Sequence, residues 1–111
     1  MKSTKDDLVA LNEANFQEEV LNHKQPILVL VTSSITGSSK IMQERFDELA
    51  GSCGESVKLG ILDGDRNKKL AEHYHIQVFP TTLIFKDGVL ADRLPFLVSV
   101  DELKARVKPL M

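Results

Sequence analysis

Eight residues, Ser33 to Lys40, read Ser-Ser-Ile-Thr-Gly-Ser-Ser-Lys and directly follow the apolar run Ile27 to Val31. A strand handing over to a helix is a common place for chemistry. Here it offers hydroxyls, no thiol, no imidazole and no carboxylate. Thr36, Ser38 and Ser39 fall where the first turn of a helix leaves backbone N–H groups free. That position suits an anion such as a phosphate or the carboxylate of a glutathione-like ligand. A plainer role for Thr36 or Ser38 is to cap the helix. The spacing is not that of a phosphate-binding loop, whose lysine follows a fixed run of glycines.

Other groups with chemistry are scattered. Cys53 is the one cysteine, so no intrachain disulfide and no clustered-cysteine metal site can form. It stands beyond the helix that starts near Thr36, which puts it on the order of 20 Å from that residue at about 1.5 Å per helical residue. His73 and His75 are two apart, which on a helix points them to different faces. Asp63 and Asp65 hint at calcium but lack the later acidic ligands of a calcium loop, and a turn that ends a strand accounts for them. No metal and no cofactor are expected.

These residues need a scaffold, and the remaining pattern supplies one. The chain has 111 residues and a net charge of −2, with 42% hydrophobic residues. That suits one domain, residues 1–111, and gives no electrostatic reason for a nucleic-acid or membrane partner. No apolar run nears the roughly 20 residues a membrane helix needs. The first residues, with Lys2 and Lys5, lack the apolar core of a secretory signal, so a cytoplasmic setting is expected. Leu8–Leu11 reads as a strand. Asn12 and Asn15 are candidate caps for a helix that buries Phe16 and Val20 and leaves Glu18 and Glu19 wet. The run 27–31 reads as a strand buried on both faces. Met42, Phe46 and Leu49 mark a helix that Gly51 and Gly54 should stop. A second central strand follows at 57–65, then a helix with Leu70 and Tyr74 as its buried row. Asp87-Gly88 signals a type I′ hairpin. Ser99 caps a last helix with Val100, Leu103 and Val107 on one face. The order β-α-β-α-β-α-β-β-α predicts a mixed sheet with helices on both faces.

That order, with Phe79-Pro80-Thr81 ahead of the hairpin, resembles the thioredoxin family over nearly the whole chain. The implied architecture is its three-layer α/β fold. The stretch from Pro26 to Lys40 resembles the strand, turn and helix start that carry the Trp-Cys-Gly-Pro-Cys-Lys motif, and Gly37 and Lys40 match it directly. Pro80 matches the family's cis-proline. The resemblance also marks departures. Thr36 and Ser39 stand at the two cysteine positions, with Gly37 and Ser38 between them. Ile35 replaces the tryptophan. Leu30 and Ile61 replace a buried aspartate and the lysine near it. Thiol–disulfide exchange needs a thiolate, and a hydroxyl forms no stable bond to sulfur.

The expectation is therefore a redox-inactive, non-catalytic binding module of adaptor, assembly-factor or chaperone type. It would present Ile35, Val78, Phe79, Pro80 and Phe96 as a groove for a protein or an extended peptide, with a backbone contact at Val78. Phe96 stands where the family keeps a glycine, so its ring would reshape that groove. The alternatives are a thioredoxin-family oxidoreductase or redox-homeostasis protein with a degenerate site, and an anion or glutathione-like ligand binder at the helix N-terminus.

Overall fold

All six side chains of Ile27–Thr32 (β2) are buried, and they point alternately into two cores. Leu28 and Leu30 face one, Ile27, Val29 and Val31 the other. An unbroken apolar strand is what a sheet covered on both sides requires. The computed structural model describes residues 8–53 and 56–111. Lys2, Lys5 and Gly54 lie outside them.

The sheet has five strands in the order β1-β3-β2-β4-β5, with β1 at Leu8–Leu11, β3 at Lys58–Asp63, β4 at Thr81–Lys86 and β5 at Val89–Pro95. Strands β1, β3 and β2 are mutually parallel, whereas β4 and β5 run antiparallel. Against one face pack helices α1 (Gly37–Cys53) and α3 (Val100–Val107) through Met42, Phe46, Leu49, Leu103 and Val107. Against the other pack the helical turn Gln17–Leu21 and the short helix α2 (Lys68–His73) through Phe16, Val20 and Ala71. Each fully buried aliphatic or aromatic side chain stabilises this arrangement by about 1.5–3 kcal/mol.

The caps and turns follow local chemistry. Asn12 and Asn15 each accept the other's backbone N–H through a side-chain oxygen, at 2.9 and 2.8 Å. Ser99 accepts the Glu102 N–H at 3.1 Å and starts α3. Asp87 and Gly88 both have positive φ, 53° and 78°, as a type I′ turn demands.

Three expectations need correction. The first helix is a single π-helical turn, with Asn22 N–H donating to the Gln17 carbonyl at 2.9 Å. Gly51 does not stop α1, which runs through it to Cys53. The third helix is only six residues long and buries Ala71. Leu70 and Tyr74 are half-buried at its flank, Tyr74 joining Phe16 and Phe85 with ring centroids 5.7 and 5.5 Å away.

Candidate functional site

The strand register gathers the site at one end of the sheet. Val31 pairs with Thr81, Thr32 with Asp63, and Thr81 with Pro95. Beyond these paired ends lie the turn 33–36, Gly64 and Asp65, the loop 77–80 and Phe96. The fold thus brings the hydroxyl-rich turn and Pro80 to the same edge. Cys53 ends α1, 17 residues long from Gly37, so the helix length separates it from Thr36.

The hydroxyls form a closed ring. The Ser33 N–H donates to Ser39 Oγ at 3.1 Å. Ser39 Oγ lies 2.6 Å from Thr36 Oγ1, which donates to the Ser33 carbonyl at 3.2 Å. A hydroxyl has one proton. With that of Thr36 given to the carbonyl, Ser39 must donate to Thr36, and the chain of bonds begins and ends on Ser33. Ser39 is buried and Thr36 half-buried. The capping role expected of Thr36 is therefore not what its side chain does; it turns back onto Ser33 rather than forward onto the helix. Gly37 opens α1 with open space around its Cα, and Ser38 is half-buried.

Asp65 is the site residue that sequence reasoning assigned only to a turn. Its carboxylate accepts the Ser34 N–H at 2.9 Å, the Ser34 hydroxyl at 2.9 Å and the Ser33 hydroxyl at 3.2 Å. The backbone hydrogen bond from Ser34, followed by that from its hydroxyl, holds this carboxyl below the usual aspartate range. Asp63 in turn accepts the Asp65 N–H at 2.9 Å, which sets the loop. No local signal tied Asp65 to the turn thirty residues earlier; only the pairing of β2 with β3 does. A carboxylate stabilised in its charged form is a weaker base toward the Ser34 hydroxyl. A negative charge already seated on this turn also opposes an anion at the start of α1.

The apolar groove is only partly as expected. Ile35 is 88% exposed, Phe96 51% and Val78 46%. Phe79 is only half-exposed beside them, and Pro80 does not join them at the surface. Pro80 is buried, and the Phe79 ring turns inward against Gly64 and the second core. A Cβ on Gly64 would lie 2.5 Å from Phe79 Cε1, so glycine there is what lets the ring approach. The Phe79–Pro80 peptide bond is cis. The Pro80 carbonyl accepts the Phe96 N–H at 2.7 Å, and the Val78 carbonyl accepts the Thr81 hydroxyl. Phe96 has φ 63°, a left-handed conformation that favours glycine, the residue the family resemblance places there.

Leu30 and Ile61 are direct cross-strand partners, and Leu30 also pairs with Thr82, which pairs with Leu94. The row beneath the site is thus apolar save for one hydroxyl. Thr82 is fully buried and its Oγ1 has no partner among the described residues. Among the described residues no group of three or more His, Cys, Asp or Glu is placed to hold a metal, and no helix is long and apolar enough to cross a membrane.

A mixed sheet of this order, with helices on both faces and a cis-proline loop beside a strand-to-helix turn, defines a thioredoxin-fold protein. The pattern that describes the thioredoxin family matches residues 7–108, and the chain belongs to that family. It is similar to thioredoxin 1 of Synechococcus elongatus, at 34% identity over 83 residues, which are 75% of this chain and 78% of that one. It is similar to the thioredoxin of Griffithsia pacifica, at 29% identity over 86% of this chain and 92% of the relative. A protein disulfide-isomerase A6 homolog of Caenorhabditis elegans is 33% identical over 77% of this chain and 19% of its own length.

Proposed function

We propose that this chain serves in thiol–disulfide homeostasis, the field its relatives' names point to, with a degenerate site that has lost the CxxC pair. In this reading the edge formed by Ile35, Val78 and Phe96 holds a disulfide-bearing protein segment, and Val78 offers a backbone contact. The electrons come from thiols outside the site. Two thiols of a small reductant or a partner protein reduce the bound disulfide and leave as a disulfide themselves. The observation that carries this is the closed ring of Thr36 and Ser39. The two hydroxyls, 2.6 Å apart, are satisfied by each other and by Ser33, which supports a reading in which they wall the site and supply no nucleophile. A cytoplasmic setting, where small thiols are abundant, goes with this reading.

A second reading is the non-catalytic binding module, favoured by the three exposed apolar side chains at the edge. Reduction of insulin by dithiothreitol separates the two. Acceleration over dithiothreitol alone that persists in Cys53→Ser supports the redox role. Absence of acceleration leaves only binding, to be followed by capture on wild type against Ile35→Asp. Acceleration lost in Cys53→Ser assigns the exchange to the chain's own thiol and overturns the external-thiol route.

A further inference from the structure

The opposite end of the sheet carries a second set of observations that the redox reading does not use. The chain between β1 and β2 makes its π-helical turn at Gln17–Leu21, a rare geometry frequently found at functional sites. One cation ties the turn down. Lys58, the first residue of β3, donates to the Glu19 carbonyl at 2.9 Å and to its carboxylate at 2.6 Å. Just past the turn stands His23, whose N–H donates to the Val20 carbonyl at 3.3 Å. Its Nε2 is buried and has no hydrogen-bond partner among the described residues. A neutral imidazole leaves that nitrogen unsatisfied in either tautomer. A protonated one must bury an N–H donor and a positive charge with no acceptor among the described residues, and the Lys58 ammonium disfavours that charge.

We propose that His23 is an acid-sensitive latch: uncharged, it lets the turn Gln17–Leu21 close on the sheet, and on protonation it releases that turn. The charged groups around it are few. Glu18, Glu19 and Lys24 lie on its own segment and Lys58 on β3. The hairpin tip that abuts Leu21 through Gly88 carries Lys86 and Asp87. Of these, Glu19 favours the charged imidazole, but its carboxylate is already engaged by Lys58. Burial first, and Lys58 second, hold the imidazole below its ordinary range. Release frees Phe16 and Val20, both buried in the closed form, from the second core.

The sign follows from linkage. A histidine whose folded pKa is depressed contributes its full stability above the unfolded value, about 6.5. That contribution is lost as pH falls below it, by at most about tenfold in the closing equilibrium per pH unit. Glu19, also held below its ordinary range, first by the hydrogen bond from Lys58, acts in the same direction only below about 4.5. Measurements between pH 5 and 7.5 therefore separate His23 from Glu19, and the His23→Gln variant separates it from His73 and His75.

The test is a proton NMR titration of the His23 ring in the wild-type chain, with amide exchange at Val20 and Leu21 referred to Val29 in β2. The expected results are a midpoint below 6.5 and protection at Val20 and Leu21 that drops up to tenfold per pH unit while Val29 is unchanged. In His23→Gln that drop disappears. A midpoint at or above 6.5 overturns the latch. So does unchanged protection in the wild type, or an equal drop in His23→Gln. The ring titration needs no variant, so the proposal stays testable even where His23→Gln folds poorly.

Discussion

Thr82→Val should stabilise this protein, against the usual direction of a core substitution. Thr82 is fully buried on β4, between Leu30 on β2 and Leu94 on β5, and its hydroxyl reaches no partner among the described residues. In the unfolded chain water satisfies that hydroxyl. Folding strips the water and returns nothing, at a cost of about 1–3 kcal/mol. Valine keeps the shape, replaces the hydroxyl by a methyl and retains the β-branched preference for a strand. The expected gain is about 1–2 kcal/mol. For a chain of this size that is about 4 °C in Tm per kcal/mol. In urea it is a midpoint higher by about 0.5–1 M at unchanged slope. The assay is paired urea unfolding of wild type and variant. A midpoint that falls would mean that the hydroxyl does make a bond, and the account of an apolar row holding one orphan polar group would be wrong.

Three further outcomes follow from the site. At Phe96, with φ 63°, the glycine variant should be more stable than the alanine variant by about 1 kcal/mol, since only alanine keeps the left-handed penalty; the reverse order in thermal unfolding would show that the backbone there is unstrained. Gly64→Ala puts a Cβ 2.5 Å from the Phe79 ring and 3.0 Å from the Thr32 carbonyl, and should cost about 1–3 kcal/mol. Part of that loss should return in a Phe79→Leu background, and strict additivity in a double-mutant cycle would refute the contact. Asp65 is held in its charged form by Ser34, so its contribution is present above the ordinary aspartate value and vanishes as pH falls through the lowered folded one. The Ser34 amide should report that titration by NMR below pH 3.8, and a midpoint above it would remove the clamp.

Much of the scaffold was legible because its signals are periodic or local. The apolar run at β2, the i, i+4, i+7 row of Met42, Phe46 and Leu49, the Asp87-Gly88 turn and the Ser99 cap each state their structure within a few residues. The misses come from tertiary context. Gly51 reads as a stop, yet it faces open space, where a helix tolerates glycine for about 1 kcal/mol. Phe79 reads as surface because nothing in sequence says that Gly64 leaves room for its ring. Asp65 reads as a turn residue because its partners Ser33 and Ser34 are brought to it by strand pairing alone.

The same contacts bear on what the hydroxyl-rich turn is for. A motif that had merely decayed would leave loose hydroxyls competing for water. Here Thr36 and Ser39 close a ring on Ser33, and Asp65 takes the Ser33 and Ser34 donors that the ring does not use. The ordering entropy of the turn, about 1–2 kcal/mol per residue for the backbone, is thus offset by hydrogen bonds rather than by a disulfide. The result is a fixed turn that displays Ile35 almost wholly to solvent, a few residues from α1, with Val78 and Phe96 at the same edge. Preorganisation of that kind matters for holding a segment and is superfluous in a relic. If it is the purpose of the ring, Thr36→Val, which breaks the ring with little change of shape, should weaken binding of a disulfide-bearing peptide more than it lowers the urea midpoint. Equal losses in both would reduce the ring to a structural support.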